Sequence, residues 1–137
     1  MPSLFHISER NHLGMILMTE LATQYKDKEF TRLPDIAEKI KVAPLGYLEE
    51  IALSLKKAGL IEGRTGRNGG YRLTEAPSKI TTDQILSALE GPLALVPCQH
   101  STMTCPVEST CLSRSLWGRL QKNILATLHQ TTLADIS

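Results

Sequence analysis

Leu13, Leu17, Leu21 and Tyr25 recur at spacing four between Ser8 and Tyr25. That period places them on one stripe and predicts a helix over Ser8 to Tyr25. A polar turn, Lys26 to Glu29, follows it. Leu33 to Ile40 reads as a short second helix, with Pro34 in the first turn, where a missing N–H is tolerated. Lys41, Val42 and Ala43 form a turn, and Pro44 opens a third helix through Ala58. Its Leu45, Leu48, Ala52 and Leu55 fall three or four apart and are expected to face the core. Gly59 suits the left-handed position after a helix. Two short strands, Leu60 to Arg64 and Gly70 to Leu73, flank a turn-rich tip and predict a hairpin. A fourth helix, capped by Thr81 or Thr82, runs to Leu89 and ends at Gly91 and Pro92. Pro92 to Thr110 has no clean period and reads as an ordered loop. Leu112 to His129 returns to helix, with Leu112, Leu116, Leu120, Ile124 and Leu128 at spacing four and Trp117 and Leu125 widening the stripe. That face is broad for a terminal helix and predicts a partner helix from a second subunit. Thr131 to Ile136 reads as a last capped turn.

Composition narrows the class. The 137 residues suffice for one domain with a proper core. With two Phe, three Tyr and one Trp, that core must rest on Leu, Ile and Ala, which favours helices. The net charge is only +1, yet Lys56, Lys57, Arg64, Arg67 and Arg72 crowd the stretch from Lys56 to Arg72 against Glu62 alone. A local basic stretch in a balanced protein suits contact with phosphate; a solvated charged face is the plain alternative. No basic leader followed by an apolar run opens the chain, and no stretch approaches the roughly 18 apolar residues of a membrane span. A cytoplasmic protein with no membrane partner is expected. The three cysteines are odd in number and share one segment, which points to metal or redox chemistry and away from a disulfide framework.

Two short helices joined by a tight turn and followed by a basic hairpin make a winged helix-turn-helix. The expected fold is therefore mainly α with a small β-hairpin wing and a long C-terminal dimerisation helix. Residues 1–80 would form the DNA-binding part, and 81–137 the cysteine loop and dimerisation helix. A helix fits the major groove, while a glycine-rich hairpin brings backbone and arginines to phosphates or the minor groove. The candidate DNA contacts are Arg32, Pro44, Gly46, Tyr47 and Glu49, with Arg64, Arg67, Asn68 and Gly69 from the wing. Glu49 suits the amino group of cytosine. The same arrangement also occurs in small proteins that ignore DNA, and the arginines around the Gly-rich tip are what favour it here.

Three runs carry a specific resemblance: Tyr47-Leu48-Glu49-Glu50-Ile51, Leu55-Lys56-Lys57-Ala58-Gly59-Leu60-Ile61, and Gly66-Arg67-Asn68-Gly69-Gly70-Tyr71-Arg72-Leu73. In order and spacing they resemble the IscR/NsrR family of bacterial winged-helix, iron–sulfur-sensing transcription regulators. The likeness extends to Ile80, to Asp83-Gln84-Ile85-Leu86 and to Thr132-Leu133-Ala134-Asp135-Ile136, nearly the whole chain. It implies a homodimer on a palindromic operator in double-stranded DNA, joined along the C-terminal helix, and a regulator, a repressor, rather than an enzyme. No glycine-rich nucleotide loop or recognisable acid–base pair argues for catalysis.

Cys98, Cys105 and Cys111 have six and then five residues between them, unlike the close Cys-x-x-Cys pair of structural zinc. A wide-spaced trio can wrap a larger object, and thiolates are the usual ligands of iron–sulfur clusters. Three ordinary reduced cysteines are the plain alternative. The resemblance decides for a cluster, two-iron or four-iron being left open, that senses iron–sulfur status, redox state or nitric oxide. It also shows a departure: Arg114 stands where many relatives have a histidine ligand. Other relatives take a fourth ligand from the first helix of the opposite subunit. His12 is the leading candidate for that role, Glu9 the second and His100 the third. A cluster-free member switched by cysteine oxidation or by a protein partner is the alternative.

Overall fold

The computed structural model describes residues 7–27, 29–41, 44–92 and 114–137. Helix α1 (Glu9–Thr23) starts where Ser8 Oγ accepts the Asn11 N–H at 3.1 Å, so one of the first turn's spare donors is satisfied. It stops two residues short of Tyr25, because the Gln24 N–H turns to the Leu21 carbonyl (3.2 Å) and the chain tightens into a 3-10 turn, Tyr25–Asp27. Helices α2 (Leu33–Ile40) and α3 (Leu45–Lys57) follow the predicted bounds. Lys41 ends α2 in the left-handed region, at φ 51°, with its N–H on the Ala37 carbonyl.

Strands β1 (Ile61–Arg64) and β2 (Gly70–Leu73) form the antiparallel hairpin, Ile61 opposite Leu73 and Arg64 opposite Gly70. Helix α4 (Thr82–Glu90) begins after Thr81, whose N–H donates to Gln84 Oε1 at 3.0 Å. Helix α5 (Arg114–Gln130) and the short α6 (Leu133–Ile136) complete the order.

One core joins α1 through α4, the hairpin and α6. Leu13, Leu17, Met18 and Leu21 of α1 meet Ile36 of α2, Ile51, Ala52 and Leu55 of α3, Ile61 and Leu73 of the hairpin, and Ile85 and Leu89 of α4. Burying each large side chain is worth about 1.5–3 kcal/mol, so this cluster is the main stabilising feature. The C-terminal turn plugs it: Leu133 is fully buried, and its N–H donates to the Ile80 carbonyl at 2.8 Å. Gly14 lets α1 and α4 meet closely, since a Cβ there would lie 2.3 Å from Leu89 Cδ1.

One expectation is corrected. Leu45 does not face the core; it is 37% exposed, and Ile51 takes the buried place. Leu45 is the first residue of α3, beside exposed Pro44 and Gly46, and lies past the edge of the core that the rest of its stripe covers. The stripe on α5 finds little cover within the chain, and the partner helix expected from its breadth is not contradicted. None of residues 115–130 is buried, and Leu116 is 56% exposed. The loop expected over Pro92 to Thr110 lies, past Pro92, outside the described residues, as does Leu112.

Candidate nucleic-acid interface

Helix α3 presents Pro44, Gly46, Glu49, Glu50 and Leu53 to solvent. The Pro44 carbonyl accepts from the N–H groups of Tyr47 (3.1 Å) and Leu48 (3.3 Å), so the helix starts cleanly at its exposed end. Nothing lies within 4 Å of where a Gly46 Cβ would stand, which leaves room for a duplex to approach the backbone. Tyr47 differs from its neighbours: it is half-buried and packs against the core, anchoring the start of α3.

The wing owes its shape to two glycines. A Cβ on Gly69 would sit 2.1 Å from the Arg64 carbonyl oxygen, so only glycine lets the tip close under that strand end. Gly69 is itself buried, so it shapes the tip and offers no exposed surface there. Gly70 has φ +135°, and a Cβ there would lie 2.3 Å from the Thr31 carbonyl oxygen. That close approach allows Thr31 and Tyr71 to exchange two backbone hydrogen bonds, each 2.8 Å, adding a third segment to the hairpin. Arg67 and Asn68 are exposed at the tip, and Arg64 is exposed at the end of β1.

Open clefts flank the wing. One, of about 390 Å³, lies between Glu49 and Leu53 of α3 and Gly66 and Gly69 of the wing, with Arg32 and Pro34 at its edge. Another, of about 730 Å³, gathers Arg32, Arg64, Arg67 and Arg72 around Phe30, with Glu29 and Asp35 as the opposing carboxylates. Arg72 Nε donates to Glu62 Oε1 at 2.6 Å. Sequence reasoning did not single out Phe30 and Leu53, which line these two clefts. The available signals were the outward repeat Gly46–Glu49–Leu53 on α3 and the alternation Phe30–Arg32 around Thr31.

The two candidate ligands of the first helix, Glu9 and His12, are both exposed and stand one turn apart on α1. The residues interleaved with them fasten α1 to the end of α4. Ser8 Oγ donates to Glu90 Oε1 at 2.5 Å, and Asn11 Nδ2 donates to Glu90 Oε2 at 3.2 Å. Arg10 Nε donates to the Leu89 carbonyl at 2.9 Å, and its terminal nitrogen reaches Ser54 Oγ on α3. Cys98, Cys105, Cys111 and His100 lie outside the described residues. Among the described residues, no three His, Cys, Asp or Glu side chains gather as a metal site.

Asp83, in the first turn of α4, has a clearly perturbed carboxyl. Partial burial pushes it up, but hydrogen bonds from Thr81 and His129, the His129 charge and the Gln84 amide outweigh that effect. Asp83 is thereby held below its ordinary value, with His129 Nδ1 of α5 at 3.0 Å.

Two successive helices, α2 and α3, followed by a three-segment, arginine-bearing wing define a winged helix-turn-helix DNA-binding protein. The chain belongs to the Rrf2 family, whose model, described as an iron-dependent transcriptional regulator, matches residues 7–137. It is 30% identical over 130 residues to protein rrf2 of Nitratidesulfovibrio vulgaris, covering 95% of this chain and 85% of that one. It is 34% identical over 123 residues to the transcriptional regulator NsrR of Halalkalibacterium halodurans, covering 88% and 82%. The solved structure of CymR (YrzC), the global cysteine regulator of B. subtilis, matches with TM-score 0.78 and 32% identity over 97% of this chain and 96% of that one. The chain is thus a DNA-binding transcriptional regulator and not an enzyme. Among the described residues, no helix is long and apolar enough to cross a membrane.

Proposed function

We propose that this regulator is a homodimeric repressor that binds a palindromic operator and senses iron–sulfur status, redox state or nitric oxide through an iron–sulfur cluster. Cys98, Cys105 and Cys111 would hold the cluster, with His12 of the partner subunit as fourth ligand and Glu9 as second choice. The donor chemistry fits, because thiolates are the usual ligands and a neutral imidazole can complete the set. Bound there, the cluster would supply redox- and nitric-oxide-sensitive chemistry that these side chains alone lack.

The observation that carries the reading is the fork of Arg10, which touches Leu89 at the end of α4 and Ser54 on α3. Leu89 stands just ahead of the cysteine-bearing stretch, and α3 is the reading helix. A displacement at the end of α4 therefore reaches α3 through a bonded contact. Residues 1–80 would read DNA and 81–137 would sense and dimerise. In the groove, Glu49 would accept from a cytosine amino group, while Arg32, Arg64 and Arg67 would meet phosphates. A coupling of about 3 kcal/mol between two dimer arrangements changes operator occupancy roughly a hundredfold.

A second reading is favoured by the likeness to CymR, described as a global cysteine regulator. In that version two thiolates, Cys98 and Cys105, lose two electrons to a disulfide-forming oxidant, or a protein partner binds instead.

The discriminating experiment selects bound fragments from a random duplex library with oxygen-free protein, then measures affinity before and after nitric oxide. The main reading expects a large change in affinity, abolished in Cys98→Ser, Cys105→Ser and Cys111→Ser alike. A response that survives Cys111→Ser but not Cys98→Ser supports the thiol version.

A further inference from the structure

Phe30 stands just ahead of α2, on the chain segment that pairs with the wing through Thr31 and Tyr71. With Thr31 opposite Tyr71, Phe30 falls opposite Arg72, while in the hairpin Arg72 is opposite Glu62 and Arg64 opposite Gly70. Side chains alternate faces along extended chain, so Phe30, Glu62, Arg64 and Arg72 share one face. The contacts agree: the Arg72 guanidinium lies 4.4 Å from the Phe30 ring centroid and that of Arg64 5.7 Å. Both are within the roughly 6 Å reach of a cation–π interaction. Glu62 holds Arg72 from the other side, whereas among the described residues Arg64 forms no ion pair.

We infer that Phe30 is a positioning residue for DNA binding: its ring holds Arg64 and Arg72 in the orientation in which they meet the phosphate backbone. This rests on the reading of the wing as a DNA contact. A guanidinium on a free stem loses rotamer freedom when it binds, and a ring beneath it removes part of that loss beforehand. Phosphate contacts carry no base information, so the effect belongs to every sequence and to the salt dependence.

The test uses the full chain and a labelled duplex of mixed sequence, titrated between about 50 and 200 mM salt. Phe30→Leu should weaken binding about three- to tenfold and make the salt dependence shallower by about one phosphate contact, with the unfolding midpoint checked alongside. Phe30→Tyr and Phe30→Trp keep the ring and should hold both quantities near wild type. Adding Phe30→Leu to an Arg64→Gln, Arg72→Gln chain should change nothing further. If Phe30→Leu keeps wild-type affinity and slope while the arginine variants lose them, the role of Phe30 is overturned and the wing reading stands. If Phe30→Trp binds as poorly as Phe30→Leu, the role is likewise overturned. If the Arg64→Gln, Arg72→Gln chain binds as wild type, the inference is overturned, and if Arg32→Gln and Arg67→Gln also bind as wild type the wing reading falls with it.

Discussion

Arg10 Nε lies 2.9 Å from the Leu89 carbonyl oxygen, joining the first turn of α1 to the last turn of α4. The same guanidinium reaches Ser54 on α3. One side chain therefore ties α1, which bears Glu9 and His12, to the end of α4 and to α3. Arg10→Ala should cost about 1.5–3 kcal/mol, the usual worth of hydrogen bonds from a charged donor. Urea unfolding measures it, and Ser54→Ala should cost less, because Leu89 keeps its donor. An Arg10→Ala chain as stable as wild type would show that the fork adds nothing to stability.

Gly70→Ala should open the edge of the wing. The added Cβ would meet the Thr31 carbonyl and the backbone would be held at positive φ. The expected loss exceeds about 1 kcal/mol and comes with weaker DNA binding, since the Thr31–Tyr71 pair is disturbed. Gly46→Ala, where the space is open, is the matched control and should leave stability within about 0.5 kcal/mol.

Asp83 makes stability depend on acid. Its folded value lies below the unfolded 3.8, so the unfolded chain binds the proton more readily. The contribution is complete well above 3.8 and is lost as the pH falls through 3.8 towards the lower folded value. Asp83→Asn should lower stability at neutral pH by no more than about 1 kcal/mol, because the pair with His129 is partly exposed. Its loss of stability below pH about 4 should be shallower than that of wild type. Parallel acid-unfolding curves for the two chains would contradict this.

The face of α5 predicts an assembly. Leu116 is 56% exposed, and a large apolar side chain on a repeating stripe is expected to meet a second copy. Leu116→Glu should shift the protein towards monomer in sedimentation while the α1–α4 core still unfolds cooperatively. A wild-type chain that sediments as a monomer would rule the dimer out.

Most of the fold was legible because its signals are local. The spacing-four stripe of α1, Pro34 in α2 and Thr132 before α6 each act within a turn or two of chain. Leu45 misled because periodicity carries no information about where the core ends. The tip glycines were legible as a turn, but the reason for Gly70, the Thr31 carbonyl, comes from another segment. Phe30 and Arg10 were missed for the same reason: their partners on the wing, on α3 and on α4 are distant in sequence. The cysteines lie outside the described residues, so only their spacing in the sequence speaks for a site, and Glu9 and His12 are placed only as exposed residues of α1.

Whether a cluster is the sensor is decided by the ultraviolet–visible spectrum of protein purified without oxygen, read with its iron and sulfide content. The expected result is a brown protein with matched iron and sulfide, and a His12→Ala variant that loses its colour faster while still binding DNA. A colourless protein that also refuses reconstitution with iron and sulfide would contradict the cluster and leave the thiol switch.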